Sequence, residues 1–234
     1  MSARHAAARL IAQRKMWLAA GVALATVGLA AQAAEIPLYE TGPGQDAAFV
    51  RFVNGGTGPL EVSAAGSKAR SRLDLAAPAS AFFSVNAGDK VKGAFLADSQ
   101  RSEIALSVKP GEFATVVALP GAGAIKQTVL REQPDDFNAL KASLALYNLD
   151  PKCTSASLGV VGRSAMLFEA VPSGALQRRA LNPVSLSVQL LCGGKPAATP
   201  LALGALQAGQ RYSVFVMPAA AAPRLFIAND SVAR

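Results

Sequence analysis

Few side chains in this sequence are able to do chemistry. Histidine, the usual general base near neutral pH, occurs once, as His5, and tryptophan once, as Trp17. Adjacent carboxylates stand at Asp135-Asp136. A two-carboxylate hydrolase would need such a pair, but Pro134-Asp135-Asp136 reads better as the acidic start of a short helix or a linker. The densest basic point is Arg178-Arg179, and Lys68, Arg70 and Arg72 would share one strand face. These cations could meet an acidic polymer or protein surface, with affinity that falls as salt rises. The remaining reactive pair is Cys153 and Cys192.

The N-terminus decides which of these groups survive. Arg4, Arg9, Arg14 and Lys15 precede an apolar run from Met16 to Ala30 that closes on Ala31-Gln32-Ala33. This is the layout of a secretory signal peptide over residues 1–33. The apolar run is too short to span a bilayer, so the exported chain is expected in the periplasm with no stable membrane span. Cleavage removes His5, Trp17 and four positive charges, and the net charge falls from +8 to +4.

Without histidine the exported chain has no Ser-His-Asp triad, no Cys-His pair and no His-based metal site. It has no Gly-x-Ser-x-Gly elbow and no Gly-x-x-x-x-Gly-Lys phosphate loop. Two cysteines cannot supply four thiolate ligands. The expectation is a protein that is not an enzyme and holds no cofactor or metal. Half of the basic excess leaves with the leader, which argues against nucleic acid. With only Tyr39, Tyr147 and Tyr212 beside the phenylalanines, sugar stacking on aromatic faces is a weak case.

The elements that must position these residues read as strands. Val184, Leu186, Val188 and Leu190 alternate with Ser185, Ser187 and Gln189, the period of a half-buried strand. Similar runs recur every 8–12 residues or so between Gly, Pro, Asn and Asp, as in all-β sandwiches and barrels. One brief helix is expected around 135–142. Gly111-Glu112-Phe113-Ala114-Thr115-Val116, ending at Pro120, matches Gly209-Gln210-Arg211-Tyr212-Ser213-Val214, ending at Pro218, at an offset of 98. Phe52-Val53-Asn54 lines up with Leu146-Tyr147-Asn148 at an offset of 94. The predicted fold is therefore all-β, with two tandem β-sandwich domains (jelly-roll or Ig-like), 34–130 and 141–234, joined by a linker over 131–140.

Both cysteines fall in the second domain, and in an oxidising compartment they are expected to pair. Closing that loop would add roughly 4 kcal/mol in the chain-entropy picture. Charge is divided unevenly. Residues 35–130 carry nine basic and nine acidic side chains, 131–140 one and three, and 141–234 nine and three.

Several segments resemble the alginate biosynthesis protein AlgF family. They are Leu38-Tyr39, Ala48-Phe49-Val50-Arg51-Phe52-Val53-Asn54, Leu144-Ala145-Leu146-Tyr147-Asn148-Leu149 and Arg179-Ala180-Leu181-Asn182-Pro183-Val184. The resemblance implies a non-catalytic periplasmic adaptor required for O-acetylation of an exopolysaccharide, alginate or a related polymer. Its implied partners are periplasmic SGNH-type O-acetyltransferases, the membrane-bound acetyl-transfer system and, through its cations, an anionic polysaccharide. The alternative is a general periplasmic binding or chaperone-like β-sandwich that works by strand addition at an exposed edge.

Overall fold

A computed structural model describes residues 47–134 and 137–233. The expected signal peptide over 1–33, Tyr39 and the Asp135-Asp136 pair lie outside the described residues. Every regular element described is a strand. The first half holds β1 (Ala47–Asn54), β2 (Leu60–Ala64), β3 (Arg70–Leu73) and β4 (Phe83–Asn86). It continues with β5 (Lys90–Ala97), β6 (Gln100–Ser107), β7 (Phe113–Pro120) and β8 (Ile125–Glu132). The second half holds β9 (Ala142–Asn148), β10 (Ser155–Val160), β11 (Met166–Pro172), β12 (Ala175–Leu181) and β13 (Val184–Cys192). It ends with β14 (Lys195–Pro196), β15 (Leu201–Leu206), β16 (Arg211–Met217) and β17 (Arg224–Asn229).

Two corrections concern the middle of the chain. Arg131 and Glu132, counted with the linker in the sequence, finish β8. The described part of the expected helix is a turn, in which Asn138 accepts the N–H groups of Leu140 and Lys141 before β9 begins.

The internal repeat is physical. In the first half the sheet order is β4-β1-β7-β8, and in the second β12-β9-β16-β17, with a parallel pair at the centre of each. The registers obey the sequence offsets: Phe49 faces Phe113 as Ser143 faces Arg211, and Asn54 faces Ala118 as Asn148 faces Val216. Gly111 donates its N–H to Ala47 O, and Gly209 donates to Lys141 O. Both glycines have φ near +72 and +73°, a conformation that a side chain disfavours.

A matched pair of asparagines fixes the turn after each first strand. Asn54 Nδ2 donates to Gly58 O and Leu73 O, and its Oδ1 accepts from Gly56 N. Asn148 Nδ2 donates to Cys153 O and Val171 O, and its Oδ1 accepts from Asp150 N. Both are buried, and each amide supplies three bonds to backbone that would otherwise be left unpaired.

Each half is a sandwich. The β3-β2-β5-β6 sheet covers one face of the β1 sheet around Val50, Val62, Phe95, Ile104 and Val116. The sheet built from β10, β11, β13, β14 and β15 covers the β9 sheet around Leu144, Leu158, Leu190 and Val214. The opposite faces of the two inner sheets meet each other through Val53, Val117, Leu130, Tyr147, Phe215 and Met217. Burial on both faces explains why β1, β7, β9 and β16 read as continuous apolar runs rather than alternating ones.

Candidate functional site

The seam between the inner sheets holds the charged constellation of the molecule. Arg51, in the middle of β1, is fully buried, with its side chain 0% exposed. Strand alternation points it away from the first sandwich core and into the second half. Its Nη1 lies 2.5 Å from Asp230 Oδ1, Nη2 donates to Ser213 Oγ at 2.8 Å, and Nε donates to Thr115 Oγ1 at 3.0 Å. The guanidinium carbon sits 4.5 Å from the Phe82 ring centre, 5.2 Å from Tyr147 and 5.0 Å from Phe215. Every polar face of this buried cation is met, as a desolvated charge requires.

The network continues outward through Arg178 of β12. Its Nη2 donates to Asp230 Oδ2 at 2.7 Å and its Nε to Glu132 at 2.9 Å. Arg211 of β16 reaches the same Glu132 at 2.9 Å. Its guanidinium lies 5.3 Å from the rings of Phe113 and Phe137, and its Nε and Nη1 find no hydrogen bond among the described residues. Arg224 donates to Asn54 O across the same seam at 2.8 Å.

Burial pushes the Asp230 carboxyl up, but Arg51, Arg178 and the Ser213 hydroxyl outweigh it and hold it below the usual carboxylate range. Burial likewise pulls Arg178 down, and Asp230 with Glu132 raises it above the ordinary guanidinium value. For Arg211, burial and the neighbouring Arg178 win over Glu132 and Asp230, and its pKa is lowered. A carboxylate so stabilised is a poor general base. The arrangement is suited to fixing the two halves against each other.

The backbone adds a second tie. Phe82 donates its N–H to Ser231 O and accepts from Ala233 N, so the C-terminal segment runs parallel to the segment entering β4.

The residues singled out in the sequence fall in different places. Arg178 is mostly buried in the seam and its charge is balanced there, so it is corrected from a free cation to a structural one. Its neighbour Arg179 points the other way, is exposed, and donates to Leu167 O. Lys68 lies ahead of β3 rather than on it. Arg70 pairs with Glu61 at 2.7 Å and Arg72 with Asp74 at 2.9 Å, both at exposed positions. Cys153 and Cys192 are disulfide-bonded, with their Cα atoms 5.1 Å apart. The bond ties the turn held by Asn148 to the end of β13.

Arg51, Glu132, Arg211 and Asp230 escape a reading of the sequence for chemistry. The available signal was a lone charge inside the apolar run Phe49–Val53, and two carboxylates, Glu132 and Asp230, separated by the repeat offset of 98.

Fold and site together define a protein of tandem β-sandwiches, locked by a buried ion-pair seam between equivalent sheets. The chain belongs to the AlgF family: the family model described as alginate O-acetyl transferase AlgF matches residues 21–213. Membership ties the chain to alginate O-acetylation. A solved structure of the C-terminal domain of AlgF from P. aeruginosa is similar over 38% of this chain and 98% of that domain, at 18% identity and a TM-score of 0.33. No curated protein matches. Among the described residues no helix is long and apolar enough to cross a membrane.

Proposed function

We propose that this chain is a non-catalytic periplasmic adaptor in the O-acetylation of an exopolysaccharide, alginate or a related polymer, and that it binds the acetyltransferase machinery. The observation that carries this reading is the family match over residues 21–213 in a chain whose one histidine, His5, precedes the apolar leader. Transfer of an acetyl group to a sugar hydroxyl needs a base for the hydroxyl proton and usually a nucleophile activated by one. The buried carboxylates Glu132 and Asp230 are both held by guanidinium groups, which speaks against their serving as that base. Two sandwiches joined as one body suit a scaffold that presents partners in a fixed relation. The proposed partners are SGNH-type acetyltransferases and the membrane-bound acetyl-transfer system.

The test uses the purified chain from residue 34 onward. Incubated with p-nitrophenyl acetate and polymannuronate, it should hydrolyse and transfer no acetyl group above the blank. It should co-elute with a periplasmic SGNH-type O-acetyltransferase from the same cell. Acetyl transfer by the chain alone would overturn the reading.

A further inference from the structure

The tie at Phe82 is a strand addition that the molecule performs on itself, and its counterpart in the second half is vacant among the described residues. Phe83 faces Val50 and Arg179 faces Leu144 in matching registers, so Phe82 and Arg178 are equivalent positions. At Phe82 both backbone groups are taken, by Ser231 and Ala233. On β12 the corresponding groups face outward. Ser143 donates its N–H to Gln210 O, so residues 143, 145 and 147 of β9 direct their backbone bonds to β16. Their antiparallel partners Ala180, Arg178 and Leu176 therefore turn N–H and C=O away from the sheet. Among the described residues no hydrogen bond occupies those groups.

Space and charge accompany this free edge. A cavity of about 340 Å³ lies between β12 and the connection, lined by Gln133, Pro134, Asn138 and Lys141 on one side and residues 176–180 on the other. Glu132 is its one carboxylate among the described residues, and that group is committed to Arg178 and Arg211. Among the described residues of this rim, Lys141 and the exposed Arg179 are cations.

We propose that the outer edge of β12 receives an extended acidic peptide segment of a partner protein by strand addition. Backbone bonds to Leu176, Arg178 and Ala180 hold the segment, and Lys141 and Arg179 select its acidic side chains. The proposal stands on the geometry and charge of this edge and would survive failure of the adaptor reading.

The probe is a capped heptapeptide alternating glutamate with valine, added to the exported chain, with a lysine-for-glutamate peptide as control. The acidic peptide should slow amide hydrogen exchange at Leu176, Arg178 and Ala180 by about tenfold or more, and the lysine peptide should not. Ala180→Pro removes an outward N–H from an edge strand, where proline is tolerated, and should abolish the protection. The double variant Lys141→Glu with Arg179→Glu should exchange the preference between the two peptides, a reading that survives even if the proline variant fails to fold. Absence of protection on β12 at millimolar peptide, protection confined to another edge, or an unchanged preference in the double variant would overturn the proposal.

Discussion

Glu132 closes β8 and Asp230 directly follows β17, the equivalent strand of the second half, and the single guanidinium of Arg178 bonds both, at 2.9 and 2.7 Å. The remaining charges break the symmetry. Arg51 of the first half corresponds to Ala145 of the second, and Arg211 of the second to Phe113 of the first. Two copies of one domain thus meet through equivalent faces, while charges at non-equivalent positions specify one pairing. A purely apolar seam would be easier to slide or to pair between molecules.

Removing one member of the buried pair should be costly, because it leaves the other charge unpaired. Asp230→Ala should lower unfolding stability by about 3–5 kcal/mol, measured by denaturant titration. Arg70→Ala, at an exposed pair, should cost under about 1 kcal/mol.

Stability should also fall in acid, with a contribution from Asp230. Its folded carboxyl binds a proton only below the usual carboxylate range, whereas the unfolded chain takes one up within that range. The unfolded state therefore binds more protons as pH drops, and stability present above the ordinary carboxyl pKa is lost as pH falls toward the folded one. Thermal melts between pH 7 and 3 should show this loss, and Asp230→Asn should flatten it while lowering the starting value.

The matched asparagines should matter alike in both halves. Asn54→Ala and Asn148→Ala each leave two backbone carbonyls without their side-chain donor, at a cost of about 1–3 kcal/mol. Chemical denaturation of the two single variants should give similar losses. A large difference would mean that the repeat is geometric only.

The second half carries a constraint that the first lacks. Replacing Cys153 and Cys192 by Ser should destabilise the protein by roughly 4 kcal/mol in the chain-entropy picture. Equilibrium unfolding with and without reductant should give a matching shift in the wild type and none in the variant.

Much of this molecule was legible in residue patterns, and the exceptions have physical causes. The offsets of 94 and 98 in the sequence are the strand registers themselves, because a repeat preserves the spacing that its turns demand. β15 carries little strand signal in the sequence, because Leu201–Leu206 has Ala or Gly at half its positions, follows Pro200, and bulges opposite β13. The seam was missed because its members are remote: Arg51 and Asp230 are 179 residues apart, and nothing local marks a strand end as the partner of a buried arginine. Arg178 looked like a surface cation because a dibasic step in a strand sends one side chain to each face, and the sequence does not say which face is covered.

The central claim is that the chain serves acetylation without performing it. The direct measurement is the O-acetyl content of the exported polysaccharide by proton NMR, in strains with the gene, without it, and with it restored. The account predicts that deletion removes acetyl groups while polymer yield persists, and that re-expression returns them. Unchanged acetylation in the deletion strain would contradict it.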